Sequence, residues 1–181
     1  MKHGTPKELL EIWDRTKYDQ AFRFVFVRNP FSRAFSGYRF LQEKATKARQ
    51  EGNLSPKFGE YLNLSFEEVL ETIEARKKRH YAFQEQVHWF DSPDSFHFLG
   101  RTEYMDEDLA RAWAVIAPDV PFPVNIDALN VSASRDEWRN MSTQSRDLIV
   151  KHYAKDFEQL GYSTDLDAPN PAPFPSPEPR A

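Results

Sequence analysis

The sequence predicts an α/β fold, and three observations carry that prediction. Two short hydrophobic strands, at residues 22–27 and 96–99, are each followed by a helical pattern. The chain has 181 residues, the size of one ordinary domain. Hydrophobic residues make up 40% and charged residues 29%, a balance that supports a packed core and excludes a disordered chain.

Each element has a local reason. Thr5 and Pro6 read as an N-cap and first helical position ahead of a short amphipathic run to Trp13. Phe22-Arg23-Phe24-Val25-Phe26-Val27 is the strongest strand, ended by Arg28-Asn29-Pro30. A helix from Pro30 to about Gln50 follows, because Phe31, Ala34, Phe35, Tyr38 and Leu41 recur at helical spacing. Residues 51–64 read as a loop. Ser65-Phe66-Glu67-Glu68 is a capping box that opens a helix to about Lys77. Residues 80–91 are rich in Gln, His and aromatics, and Ser92-Pro93-Asp94 is a turn. Phe96-His97-Phe98-Leu99 is the second strand, with Gly100 as its stop. A helix over about 106–117 ends before Pro118, and residues 118–142 read as irregular. One last helix, about 143–159, stops at Gly161. From Ala168 onward every second residue is Pro up to Pro179. The organisation expected is a domain over 1–165 and a Pro-rich disordered tail over 166–181, a solvated segment or an SH3-type ligand.

Composition excludes several functions. With no cysteine there is no disulfide, thiolate zinc site, iron–sulfur cluster or cysteine nucleophile. No apolar run approaches the roughly 20 residues of a membrane helix, and no signal-peptide core opens the chain, so the expectation is a cytoplasmic protein. The net charge of −4 is uneven. Residues 1–50 carry 11 Lys/Arg against 5 Asp/Glu, and the remainder is acidic. A basic first third on a chain of pI near 5.8 points to a local anion site or a solvated basic face, and away from nucleic acid.

The strand–turn–helix at 22–40 carries the chemistry. The strand delivers Arg28 at its C-terminal end, where the ligand crevice of an α/β sheet lies. The next helix brings Ser32, Arg33 and Ser36 in its first two turns, close to free N–H groups and the positive end of the helix dipole. Arginine forks, a hydroxyl and a helix N-terminus suit a phosphate monoester. A strand–helix corner with surface arginines is the competing explanation.

The run Phe26-Val27-Arg28-Asn29-Pro30-Phe31-Ser32-Arg33-Ala34-Phe35-Ser36-Gly37-Tyr38 closely resembles the 3′-phosphate-binding motif of sulfotransferases, in the carbohydrate and heparan-sulfate-type branch. Further stretches follow in the order that the family has them: His80-Tyr81-Ala82-Phe83-Gln84; Phe98-Leu99-Gly100-Arg101-Thr102-Glu103 with Asp108-Leu109; Leu129-Asn130-Val131-Ser132; and Tyr153 with Asp156-Phe157 and Leu160-Gly161-Tyr162. The resemblance covers roughly residues 3–162. It implies a P-loop-NTPase-like sulfotransferase fold, a small parallel sheet flanked by helices. It implies 3′-phosphoadenosine 5′-phosphosulfate (PAPS) as cofactor, no metal, and a carbohydrate or other hydroxyl acceptor. By the resemblance Arg28 and Ser36 grip the 3′-phosphate, while Arg33 supports the loop or the adenosine side.

Family members also carry an N-terminal strand–loop–helix whose Lys and small residues wrap the 5′-phosphosulfate. No such segment precedes the motif in this sequence, so the expectation is an apparently N-terminally truncated fold with unpaired sheet edges. A late start, a segment supplied in another way, and a relic that binds nucleotide without turnover are the three explanations. The acceptor hydroxyl needs a base. By resemblance to uronyl 2-O-type relatives His3 is one candidate and His80 the other, with Gln84 orienting substrate. Arg76, Lys77 and Arg79 offer cations to an anionic polysaccharide, or simply complement a helix C-terminus. His88, His97 and His152 read as structural or exposed. Two functions remain: a PAPS-dependent sulfotransferase, and a catalytically inactive nucleotide-binding or partner-binding protein that kept the fold.

Overall fold

A computed structural model of the protein describes residues 5–75, 80–90, 93–123 and 137–176. Helix α1 (Pro6–Ile12) starts on a complete capping box: the Thr5 hydroxyl accepts the Glu8 N–H and the Glu8 carboxylate accepts the Thr5 N–H. A second short helix, α2 (Arg15–Gln20), is capped by Asp14 and was not expected from the sequence. Strand β1 (Phe24–Val27) pairs in parallel with β2 (Phe98–Arg101), Phe26 standing opposite Gly100. These two strands are the whole sheet among the described residues.

Helix α3 (Pro30–Gln50) has the predicted bounds. The expected loop at 51–64 contains a turn of helix, α4 (Pro56–Gly59), and a 3-10 turn at Glu60–Leu62 that buries Tyr61. Helix α5 (Phe66–Ala75) opens on the predicted Ser65–Glu68 box. Residues 80–90 form two 3-10 turns, Tyr81–Phe83 and Gln86–Trp89. Helix α6 (Met105–Ile116) follows β2.

Three expectations are corrected. Gly100 does not end the second strand but lies inside it. A Cβ there would stand 2.5 Å from the Phe26 ring, so glycine serves the close approach of its strand partner. The last helix is two helices, α7 (Thr143–His152) and α8 (Ala154–Leu160), broken at Tyr153. The break lets the Tyr153 hydroxyl reach the Phe83 carbonyl at 3.2 Å and Asp156 reach the 86–87 turn. The tail is docked on the body of the protein over residues 166–174 although Asp167, Pro169 and Ala172 stay exposed. Leu166 is 3% exposed and belongs to the core, and Asn170, Ala172 and Phe174 all bond to the body of the protein.

The core gathers Phe31, Ala34 and Leu41 of α3, Val69, Leu70 and Ile73 of α5, Ile149 of α7, Phe157 and Leu160 of α8, and Phe83. It lies beside the sheet and beneath α3, so the start of α3 is anchored while its outer face is open. No helix of the described residues is long and apolar enough to cross a membrane.

Candidate functional site

The site is built where β1 meets α3. Val27, the last residue of β1, is buried, and the chain then turns through Arg28 and Asn29. The Asn29 side chain accepts the Phe31 N–H at 3.0 Å, and Pro30 takes the first helical position, where no N–H is needed. The Ser32 hydroxyl donates to the Asn29 carbonyl (3.1 Å) and accepts Arg28 Nε (2.9 Å). Arg28 is thus tied to α3 through Nε, while among the described residues its terminal nitrogens have no protein partner.

The backbone of Arg28 is held just as firmly. Gln86 accepts its N–H through Oε1 and donates Nε2 to its carbonyl, both at 2.8 Å. The fully buried Asp156 of α8 fixes Gln86 in turn, accepting the N–H groups of Gln86 (2.9 Å) and Val87 (3.0 Å). On the far side, Glu103 accepts the Asn29 N–H at 2.7 Å and the Tyr162 hydroxyl at 3.0 Å. Burial and Glu103 together push the Tyr162 phenol well above its usual range, so it stays a donor to that carboxylate.

Arg28, Arg33 and Ser36 come together in one open pocket of about 430 Å³, with Gly37, Phe40, Tyr81, Ala82 and Trp89. Arg33 and Ser36 are three residues apart, hence on one helix face. Gly37 keeps that face close to the 81–83 turn, since a Cβ there would meet the Ala82 carbonyl at 3.0 Å. Desolvation pushes both guanidinium groups down from the ordinary arginine value; for Arg28 the Glu103 charge opposes the shift, and for Arg33 Tyr153 and Asp156 do. Arg33 Nη1 is buried without a hydrogen-bond partner, and its guanidinium lies 6.0 Å from the Tyr153 ring centroid. No carboxylate of the described residues stands within ion-pair distance of either arginine. Two partly desolvated cations, a hydroxyl and an aromatic wall (Phe40, Tyr81, Trp89) match a small anion attached to a flat or apolar body.

The other predicted site residues fall elsewhere. His80 caps the 81–83 turn, its Nδ1 accepting the Ala82 N–H at 3.2 Å, which keeps the ring proton on Nε2. Gln84 is half-buried, with Oε1 buried and unpartnered. His3, Arg76, Lys77, Arg79 and the 129–132 stretch lie outside the described residues. His97 binds the Arg23 N–H at 2.9 Å, His152 is buried beside the Leu70 carbonyl, and His88 is exposed. Sequence reasoning missed Gln86 and the role of Asp156. Their signals were a second glutamine two residues past Gln84 and an aspartate inside a quoted motif. The aromatic wall was foreshadowed by the aromatic bias of 80–91.

The sulfotransferase family model matches residues 2–163. The chain belongs to the sulfotransferase family. No curated protein and no solved structure matches it significantly. Membership gives the weaker sequence elements a physical meaning in this sulfotransferase. The glutamate and aspartate that follow β2 are internal fasteners: Glu103 holds Asn29, and Asp108 accepts the Arg101 N–H at 2.6 Å. The Tyr153–Asp156 element braces the 80–90 segment against Arg28.

Proposed function

We propose that this sulfotransferase uses PAPS and moves its sulfuryl group to a hydroxyl of a carbohydrate. The single observation that carries the reading is the placing of Arg28 and Arg33 in one pocket with Ser36, with no carboxylate of the described residues within ion-pair distance of either arginine. Half-buried cations with no counter-charge at ion-pair distance are costly, and an anionic ligand offsets that cost. The residues fit the 3′-phosphate end of the cofactor: Arg28 through its terminal nitrogens and Ser36 through its hydroxyl, with Arg33 supporting the loop or the adenosine side and the nucleoside against Phe40, Tyr81 and Trp89. We further infer that β1, α3 and β2 belong to a P-loop-NTPase-like sulfotransferase fold.

When bound, the cofactor supplies the activated sulfuryl group. Gln86, Glu103 and Asn29 hold Arg28 in place, so the cofactor's 3′-phosphate end is fixed, and transfer of a small charged group relies on such positioning. His80 accepts the acceptor proton, which requires its Nδ1 to give up the Ala82 N–H, whichever ring nitrogen serves as the base; His3 is the other base. Gln84 orients the acceptor, and Arg76, Lys77 and Arg79 attract an anionic one.

A second reading is nucleotide binding without turnover, which the pocket holding Arg28, Arg33 and Ser36 supports equally well. A titration with adenosine 3′,5′-bisphosphate beside Arg28→Ala, followed by radiolabelled sulfate transfer from PAPS to a panel of sugar acceptors, tests both. Binding lost in the variant together with transfer supports the enzyme; binding with no transfer to any acceptor supports the second reading. Absence of binding in the folded parent overturns both.

A further inference from the structure

The C-terminal segment lies against the turn that carries Arg28. Asn170 Oδ1 accepts from Asn29 Nδ2 at 3.1 Å. The carbonyls of Ala172 and Phe174 accept from Arg101 Nε (3.0 Å) and Arg111 Nη1 (2.8 Å). The Arg101 guanidinium lies 3.9 Å from the Phe174 ring centroid and 4.6 Å from that of Tyr162. These contacts all come from residues 170, 172 and 174, the ones that stand between Pro169, Pro171, Pro173 and Pro175. Proline fixes φ and has no N–H to donate. The alternation therefore yields an extended segment that loses little freedom on docking and presents its contact residues two apart.

Asn29 is where this segment meets the site. Its amide has two ends, and only the oxygen end can accept the Phe31 N–H. Asn170 takes the nitrogen end, so a flip of the Asn29 amide would break bonds on both sides at once. Glu103 holds the Asn29 backbone N–H from a third direction.

We propose that residues 166–176 form a strap, with Asn170 as a positioning residue, which locks Asn29 in its capping orientation and so fixes Arg28 and the first turn of α3 for anion binding. Its ligand arm rests on the anion-site reading above; its structural arm does not. The strap acts on geometry at the site, beyond any contribution to overall stability.

The test uses the full chain, Asn170→Ala, and a chain ending at Asp167, which keeps the buried Leu166. Hydrogen–deuterium exchange at residues 28–33 and the Kd for adenosine 3′,5′-bisphosphate are measured well below each variant's Tm. The expected result is about fivefold faster exchange at 28–33 in both variants, with Kd about threefold weaker in Asn170→Ala and about tenfold weaker in the short chain, the scale of a lost helix cap. Unchanged exchange at 28–33 overturns the strap. Unchanged Kd with a lowered Tm overturns the positioning role and leaves a structural brace. If the parent does not bind the nucleotide, the anion-site reading fails, and the exchange arm alone still decides the strap.

Discussion

Two arginine pairs stand beyond the ends of the same two strands, and their fates differ. Arg28 follows β1 and joins Arg33 in an open pocket, where no carboxylate of the described residues comes within ion-pair distance of either. Arg101 ends β2 and joins Arg111 under the C-terminal strap, where carbonyls, rings and the Asp108 carboxylate close around them. Arg101 is 3% exposed, and only its Nη1 lacks a hydrogen-bond partner. The lesson is that residue type and position at a strand end do not assign a cation to a ligand. What assigns it is whether the rest of the chain has already supplied its counter-groups.

The comparison breaks most sharply at Arg101. Arg101→Ala removes two charge-assisted bonds and the contacts with the Phe174 and Tyr162 rings, so unfolding in urea should show a loss of about 3 kcal/mol. A loss below about 1 kcal/mol would mean that the strap contributes little. Arg28→Ala should behave in the opposite way. Nucleotide affinity is expected to fall about 100-fold by calorimetry while stability changes by less than about 1 kcal/mol. If both variants lose stability equally, the distinction between a ligand pair and a structural pair is gone.

Gly100→Ala probes the sheet that sets both pairs. The new Cβ meets the half-buried Phe26 ring at 2.5 Å across the strand pair, and about 2 kcal/mol of destabilisation should appear as a lower Tm. Ser36→Ala sharpens the ligand side. A neutral donor to phosphate is lost, giving about fivefold weaker binding without change in Tm.

The smallest effect comes from a group outside both pairs. The Ser65 N–H and hydroxyl hold the Glu68 carboxylate below its ordinary value of 4.5. A lowered carboxylate favours the folded state above its unfolded pKa, and that contribution disappears as pH falls through the folded value. Glu68→Gln should therefore flatten a small loss of Tm on acidification below pH 4.5, and leave nucleotide binding at neutral pH untouched.

Much of the framework was legible because it is encoded locally. Asn29-Pro30 and the spacing of Phe31, Ala34, Tyr38 and Leu41 place α3 and its approximate length, and the Thr5-Pro6 cap and the Ser65 box place two more helix starts. Gly100 misled, because a glycine required by a neighbour's ring looks the same in sequence as one that stops a strand. The Pro-rich tail misled for a similar reason. Its composition is that of a solvated segment, but Leu166 and the residues between the prolines have partners far away in the chain.

The sequence by itself determined that β1 hands Arg28 to a helix carrying Arg33 and Ser36 on one face, since strand alternation, capping and helical spacing act over a few residues. Only the tertiary structure decided which arginines are left for a ligand. The bonds responsible join residues 58 apart (Arg28 with Gln86), 70 apart (Gln86 with Asp156) and 141 apart (Asn29 with Asn170). No local pattern encodes such pairs, because each depends on the packed core bringing two distant segments within hydrogen-bond reach.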